Sequence, residues 1–138
     1  MSGADDRNAI IDLLSELTTI LDGRRWDTLG EVFTADATAY GASGLHEVTA
    51  LIRSFLGGCG PSQHLLGNHL LRIDGDRASG VTKIRVMHQG AAERANLTYE
   101  CLGDYRDEFL RTADGWRIIR REFDVAMAFG DPIVLQPG

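Results

Sequence analysis

The stretch that decides the fold is residues 62–89, SQHLLGNHLLRIDGDRASGVTKIRVMHQ, which has the pattern of two strands joined by a tight turn. Apolar and polar side chains alternate on both sides of Asp74-Gly75-Asp76, as is typical of a β-hairpin. The alternation continues to residue 127. The sequence therefore predicts four long strands of a mostly antiparallel sheet, at residues 62–73, 81–89, 97–110 and 116–127.

The residues before this sheet have helical periodicity. Apolar side chains recur every three or four residues across 4–22, and Asp5 and Asp6 lie in the first turn, where the helix dipole favours negative charge. Helices first and hairpin-connected strands afterwards predict an α+β fold. The predicted helices cover residues 4–22, 27–33 and 45–56, and a short extra strand covers residues 37–40.

Glycines in or beside the predicted strands indicate that the sheet is bent. Gly67, Gly80, Gly90 and Gly103 occur where bulges and bends are expected. A long sheet bent around helices leaves a hollow if the inward side chains do not fill it. The same glycines therefore predict curvature and an interior pocket.

Length and charge limit what the chain can be. Its 138 residues fit one domain, 1–138, with a core at 1–128 and a mobile tail or lid at 129–138. A net charge of −6 argues against nucleic acid and anionic membrane surfaces as partners. No signal-peptide pattern or long apolar run is present, so we expect a cytoplasmic protein. Cys59 and Cys101 have no metal-type spacing and are predicted to be free thiols.

Four histidines are candidates for chemistry. His46 lies off the apolar stripe of its helix and is expected at the surface. His64 and His69 have opposite parity, so at most one of them should face the interior of a regular strand. Both faces of that strand are apolar, so one is expected to line the pocket and the other to pack against a partner subunit. No histidine or cysteine pair has the spacing of a metal site.

The pattern leaves two further candidates open. Asp22 ends an apolar helix at the edge of its stripe, where the helix dipole is unfavourable for a carboxylate. It is either exposed to solvent or held by a nearby cation or imidazolium. Arg120 and Arg121 point to opposite faces of the last strand, so one of them enters the pocket or both form surface salt bridges.

Three runs resemble the SnoaL-like members of the nuclear-transport-factor-2-like superfamily: RNAIIDLLSELTTILDGRRWDTLGEVFTADA (7–37), HLLGNHLLRIDGDRASG (64–80) and GDYRDEFLRTADGWRIIRR (103–121). The resemblance covers most of residues 7–121. It implies a cone-shaped α+β barrel, in which a curved, mixed but mostly antiparallel sheet wraps around N-terminal helices and encloses one pocket. The superfamily includes dehydratases, dehydrochlorinases, isomerases and polyketide cyclases.

The resemblance also implies site residues. Scytalone dehydratase and hexachlorocyclohexane dehydrochlorinase pair an aspartate that ends the first helix with a strand histidine, and Asp22 and His64 match these positions. Arg121 aligns with a pocket arginine of the dehydrochlorinase, and His88 lies near the second histidine of scytalone dehydratase. The predicted pocket wall contains Val86, Tyr105, Asn68 and Trp26.

These residues predict a cofactor-independent lyase or cyclase of the dehydratase type. An imidazole has an ordinary pKa of about 6.5, so His64 would act as general base, steered by Asp22. His88, Tyr105 or Arg121 would protonate or stabilise the leaving oxygen. The substrate would be a small, largely apolar cyclic or polyketide-like compound of secondary metabolism. Leu17 and Ala39 replace a lysine and a tryptophan of the dehydrochlorinase, which argues against dehalogenation.

Two other functions fit the same pattern. The fold also suits a non-catalytic ligand-binding or assembly module, because a fold does not fix a function. An isomerase or epoxide hydrolase would differ only in what the base activates. In each case we expect a homodimer, because an exposed apolar sheet face usually marks an interface.

Overall fold

The computed structural model describes residues 2–138, and helix α1 (Gly3–Asp22) opens it. Ser2 caps this helix: its hydroxyl accepts from the Asp5 backbone N–H, and the Asp5 carboxylate accepts from the Ser2 backbone in return. The apolar stripe predicted from the sequence is buried. The helix ends at Asp22, as predicted.

The middle of the chain contains shorter elements. A 3-10 turn (Trp26–Glu31) is followed by strands β1 (Phe33–Ala39) and β2 (Ala42–Ser43) and helix α2 (Leu45–Leu56). The short helix predicted over 27–33 is thus present as a 3-10 helix that ends at Glu31, and only its last residue, Phe33, belongs to β1 instead. Gly30 and the β-branched Val32 support a helix poorly, and Phe33 instead pairs with Ile118 in the sheet.

Four long strands follow, close to their predicted positions. They are β3 (Ser62–Asp74), β4 (Arg77–Gln89), β5 (Thr98–Thr112) and β6 (Gly115–Gly130). The strand order is β2-β1-β6-β5-β4-β3, with β1 parallel to β6 and every other pair antiparallel. The α+β class with a mixed, mostly antiparallel sheet is confirmed. The sheet has two edges, β2 and β3, so it curves without closing into a barrel.

A bulge in β3 changes which side chains face inward. The register with β4 shifts between Gly67 and Leu70, and Asn68 takes a left-handed backbone with φ of 52°. The extra residue reverses the alternation, so both His64 and His69 lie on the inner side. The expectation that at most one of them faces the interior is wrong for this reason. The Nδ1 atom of His69 lies 3.0 Å from Thr82 Oγ1.

The last residues pack against α2. Val134 is buried, and the Gln136 backbone N–H donates to the Phe55 carbonyl over 2.8 Å. The chain end passes so close to Gly57 and Gly58 that a Cβ at either position would meet backbone atoms within 2.7 Å. The segment predicted as a mobile tail or lid, 129–138, thus begins as the end of β6 and its last residues pack against α2.

Two further predictions concern the chain as a whole. Cys59 and Cys101 are free thiols, as expected. Along residues 2–138, helices fall short of the length and apolar character needed to cross a bilayer.

Candidate active site

The end of α1 meets the start of β3 at an aspartate–histidine pair. Asp22 Oδ1 lies 2.6 Å from His64 Nδ1, and Asp22 Oδ2 accepts from the His64 backbone N–H over 2.9 Å. The imidazole is nearly buried, with 5% of its side chain exposed, against 24% for Asp22. Of the two alternatives for Asp22, the structure therefore has the carboxylate held by an imidazole.

The environment of Asp22 keeps its carboxylate charged. Burial alone would raise the pKa of Asp22, but hydrogen bonds from the His64 ring, the His64 backbone and Ser62 outweigh burial and lower it. An ionised carboxylate can only accept, so Nδ1 of His64 carries the proton in this contact. The Nε2 lone pair is then free to act as a base in the neutral imidazole.

A second set of hydrogen bonds, missed by the sequence reasoning, supports the carboxylate. Ser62 Oγ donates to Asp22 Oδ1 over 2.8 Å and accepts from Arg24 Nη1 over 2.9 Å. Arg24 also donates to the carbonyls of Gly60 and Leu21. The only sequence signal was that Ser62, two residues before His64, shares its strand face.

His88 lies beside His64 on the neighbouring strand. The two rings are edge-on, with centroids 6.3 Å apart, and His88 Nδ1 donates to the Tyr99 carbonyl over 2.8 Å. Burial lowers the pKa of His88, and the bond to Tyr99 offsets this only in part. His88 is therefore held neutral with Nε2 as an acceptor, which suits it poorly to the predicted role of proton donor.

Both imidazoles line a cavity of about 310 Å³ between α2 and the inner face of the sheet. Its walls are mainly apolar and aromatic, a composition typical of small-molecule sites. Leu135 of the docked tail contributes to its rim. The other walls include Leu51, Ile52, Phe55, Tyr40, Val86, Tyr99, Cys101, Tyr105 and Phe123.

A larger depression of about 860 Å³ lies elsewhere on the sheet. Its lining includes Arg106, Glu108 and Arg120, which are exposed, and it does not include His64. It is a surface depression with charged side chains on its walls. The smaller cavity is the better candidate site because it combines apolar walls with the aspartate–histidine pair.

Two of the predicted pocket residues, Val86 and Tyr105, line the cavity, but Arg121 does not. Arg121 is 2% exposed and binds Asp107 through two hydrogen bonds of 2.7 and 2.9 Å. Its guanidinium carbon lies 3.7 Å from the centre of the Tyr105 ring. Arg121 therefore lies behind Tyr105, where it supports the wall and has its charge neutralised by Asp107.

The remaining predicted wall residues, Asn68 and Trp26, also lie outside the cavity lining. Asn68 forms the β3 bulge and is exposed, because the bulge turns it away from the face of His64. Trp26 packs against the main core beneath α1. Within residues 2–138, no group of three or more His, Cys, Asp or Glu side chains is placed to hold a metal ion.

Sequence comparison with known families identifies one that spans most of the chain. The model of the SnoaL-like domain matches residues 3–122. An uncharacterized protein of Mycobacterium tuberculosis, Rv2910c, is 37% identical over 122 residues, which cover 84% of this chain and 82% of that protein. The relationship extends through both the helical and the sheet half of the domain.

Solved structures share the fold at lower identity. A candidate aromatic ring hydroxylase from Novosphingobium aromaticivorans is 24% identical, with a TM-score of 0.86 and coverage of 97% of this chain and 99% of that one. A candidate scytalone dehydratase from the same organism is 18% identical, with a TM-score of 0.85 and coverage of 93% of this chain and 89% of that one. A hexachlorocyclohexane dehydrochlorinase from Novosphingobium barchaimii is 18% identical, with a TM-score of 0.78 and coverage of 93% of this chain and 91% of that one. These likenesses establish the nuclear-transport-factor-2-like fold.

Proposed function

This chain belongs to the SnoaL-like domain family, and we propose that it is a dehydratase- or cyclase-type lyase in which His64 is the general base. The observation that carries the proposal is the 2.6 Å contact between Asp22 Oδ1 and His64 Nδ1 at the wall of an apolar cavity. A buried imidazole oriented by a carboxylate is the arrangement that general-base catalysis requires. The substrate would be small, cyclic or polyketide-like, and largely apolar.

The proposed reaction begins when Nε2 of His64 takes a proton from a carbon next to an activating group. The electron pair of that C–H bond forms a carbon–carbon double bond as the bond to a neighbouring hydroxyl breaks. The imidazolium, stabilised by Asp22, returns its proton to the leaving hydroxide to give water, so no other reactant is consumed. General-base assistance of this kind contributes about 10²–10⁴-fold. In a cyclase, the same electron pair would instead attack a carbonyl carbon.

The similar folds support this reaction class without fixing the substrate. Two of the solved structures described above are named for elimination of water or of hydrogen chloride. Leu17 and Ala39 are both buried in this chain. Because Leu17 stands where the dehydrochlorinase has a lysine, we favour loss of water over loss of chloride.

We also propose a homodimer formed through the outer face of the sheet. Several large apolar side chains on that face are exposed: Leu65, Leu70, Met87, Met127 and Phe129. Burying them against a second copy would remove apolar surface from water. Light scattering after size exclusion should give twice the chain mass, and a monomer at micromolar concentration would contradict this.

A cytoplasmic location stays a prediction.

The function is tested by screening the purified protein against hydroxylated cyclic ketones and polyketide-like compounds for loss of water or ring closure. We expect turnover of at least one compound, and a reduction of about 10²–10⁴-fold in His64→Ala. His46→Ala is the matched control, because His46 is exposed on α2, away from the cavity. Turnover that is unchanged in His64→Ala would contradict the assignment. No turnover of any compound, together with tight binding, would favour a binding module.

A further inference from the structure

Tyr105 places a hydroxyl in the cavity without giving it a partner. Only 2% of this residue is exposed, and it belongs to the cavity lining. Among residues 2–138, no group forms a hydrogen bond with its hydroxyl. The hydroxyl is nevertheless not among the polar side-chain atoms that are both fully buried and without a partner. Its small accessible surface therefore faces the cavity. A buried hydroxyl without a partner is unfavourable, so this one is suited to a ligand.

The surroundings of Tyr105 fix its ring and keep its proton in place. The Arg121 guanidinium covers the ring at 3.7 Å, held there by Asp107, and the Phe123 ring packs at a centroid distance of 5.0 Å. Burial raises the pKa of Tyr105 well above its ordinary range, so the phenol stays protonated.

The rest of the lining restricts the charge of a ligand. Lys, Arg, Asp and Glu side chains are absent from the cavity walls in the described chain. Behind the wall, Arg121 is neutralised by Asp107, and Arg24 donates its hydrogen bonds to Ser62 and to the carbonyls of Gly60 and Leu21. A carboxylate or phosphate would lose its hydration here without gaining a partner of opposite charge, so the cavity fits an uncharged molecule.

From these observations we propose that the Tyr105 hydroxyl donates a hydrogen bond to a carbonyl or hydroxyl oxygen of an uncharged ring substrate. This inference deepens the function proposed above and rests on it for the reaction. Tyr105 thereby selects rings that carry an oxygen over hydrocarbons of the same shape. A carbonyl held there is polarised, which would acidify the adjacent carbon–hydrogen bond that His64 attacks.

Two other tyrosines line the cavity but are less suited to this role. The Tyr99 ring stacks on His88 at 6.0 Å, and its hydroxyl is within reach of Cys101. Tyr40 is less buried than Tyr105. At both positions a Tyr→Phe substitution removes only the hydroxyl, so these variants can be compared directly with Tyr105→Phe.

The test compares binding of 1-tetralone with binding of tetralin, its counterpart without the oxygen, by NMR titration. We expect Tyr105→Phe to weaken tetralone binding about 3–10-fold, which corresponds to one net hydrogen bond, while tetralin affinity changes less than twofold. Tyr99→Phe should leave the ratio of the two affinities unchanged, and His46→Ala, an exposed change on α2 outside the cavity lining, should leave both affinities unchanged. Thermal unfolding of each variant verifies that it is folded.

Three results would overturn the inference. The first is an equal loss of affinity for tetralone and tetralin in Tyr105→Phe. The second is a loss of affinity for tetralone alone in Tyr99→Phe or Tyr40→Phe instead. The third is that tetralone does not bind to the unaltered protein. Because binding needs no turnover, the experiment separates this inference from the reaction. If His64→Ala retained full activity but Tyr105→Phe lost tetralone selectivity, the base assignment would fail and the Tyr105 contact would stand.

Discussion

At the scale of single residues, the site depends on how His64 is held. Its Nδ1 donates to Asp22 Oδ1, its backbone N–H donates to Oδ2 of the same carboxylate, and Ser62 also donates to Oδ1. One ring nitrogen is thereby committed to the protein and the other is left for a substrate. The pair orients the base and stabilises the charge that forms on it.

We therefore expect Asp22→Asn to lower turnover about 10²–10⁴-fold without abolishing folding. The amide keeps the shape of the side chain but lacks the charge, and its NH₂ group can donate to Nδ1 and select the wrong tautomer. Steady-state kinetics on the compound found in the screen measures this. Asp36→Asn, an exposed change on β1, is the control. Equal activity of the two variants would mean that the carboxylate is not needed.

At the scale of elements, α1 is tied to the sheet at both ends. Asp22 binds β3 at its C-terminus, and the buried Asp6 near its N-terminus binds Arg111 of β5 through two contacts of 2.8 Å. Trp116 of β6 donates to Asp6 as well. These contacts fix the helix over the sheet and so fix the position of Asp22.

The contacts of Asp6 predict a pH-dependent stability. The Arg111 side chain lowers the pKa of Asp6 from 3.8 to about 2. Because the folded pKa lies below the unfolded one, the contribution is present above about pH 4 and is lost as the pH falls toward 2. Asp6→Asn should therefore lower Tm by several degrees at pH 7, with a gap that closes between pH 4 and 2. A gap that does not depend on pH, or that equals the effect of Asp12→Asn on the exposed face, would contradict this.

The elements also show what periodicity can and cannot predict. The stripe of α1 and the alternation of the four long strands are properties of consecutive residues, so their positions were predicted to within a few residues. The bulge at Asn68 was not, because it depends on pairing with β4 and not on local pattern. That one extra residue reversed the faces assigned to His69 and Asn68. The short helix predicted over 27–33 ends at Glu31, because Phe33 pairs with Ile118 of β6.

At the scale of the whole molecule, the cavity wall is supported by a buried ion pair. Arg121 and Asp107 face each other across β6 and β5, and each side chain is about 1% exposed. Parity left open which of Arg120 and Arg121 turns inward and the resemblance singled out Arg121, but only the register between the two strands brings Asp107 opposite it. The resemblance could therefore suggest an inward arginine, but it could not show that Asp107 would neutralise this arginine behind the cavity wall. The match of Asp22 and His64 was likewise suggested by resemblance, and their contact required the fold.

Removing one partner of this pair should be costly. Arg121→Met leaves Asp107 buried without a partner and is expected to destabilise the fold by about 3–5 kcal/mol. The double variant Arg121→Met/Asp107→Leu should recover most of that loss, because it leaves no uncompensated charge. Urea unfolding measures both. A double variant no more stable than Arg121→Met would show that the pair contributes through packing rather than charge.

The role of His64 as a base depends on which ring nitrogen carries the proton, and long-range ¹H–¹⁵N NMR of histidine-labelled protein measures this. We expect neutral His64 to carry its proton on Nδ1, against Asp22, with a bare Nε2, and we expect Asp22→Asn to lose this preference. A proton on Nε2 of neutral His64, or a spectrum unchanged in Asp22→Asn, would contradict it.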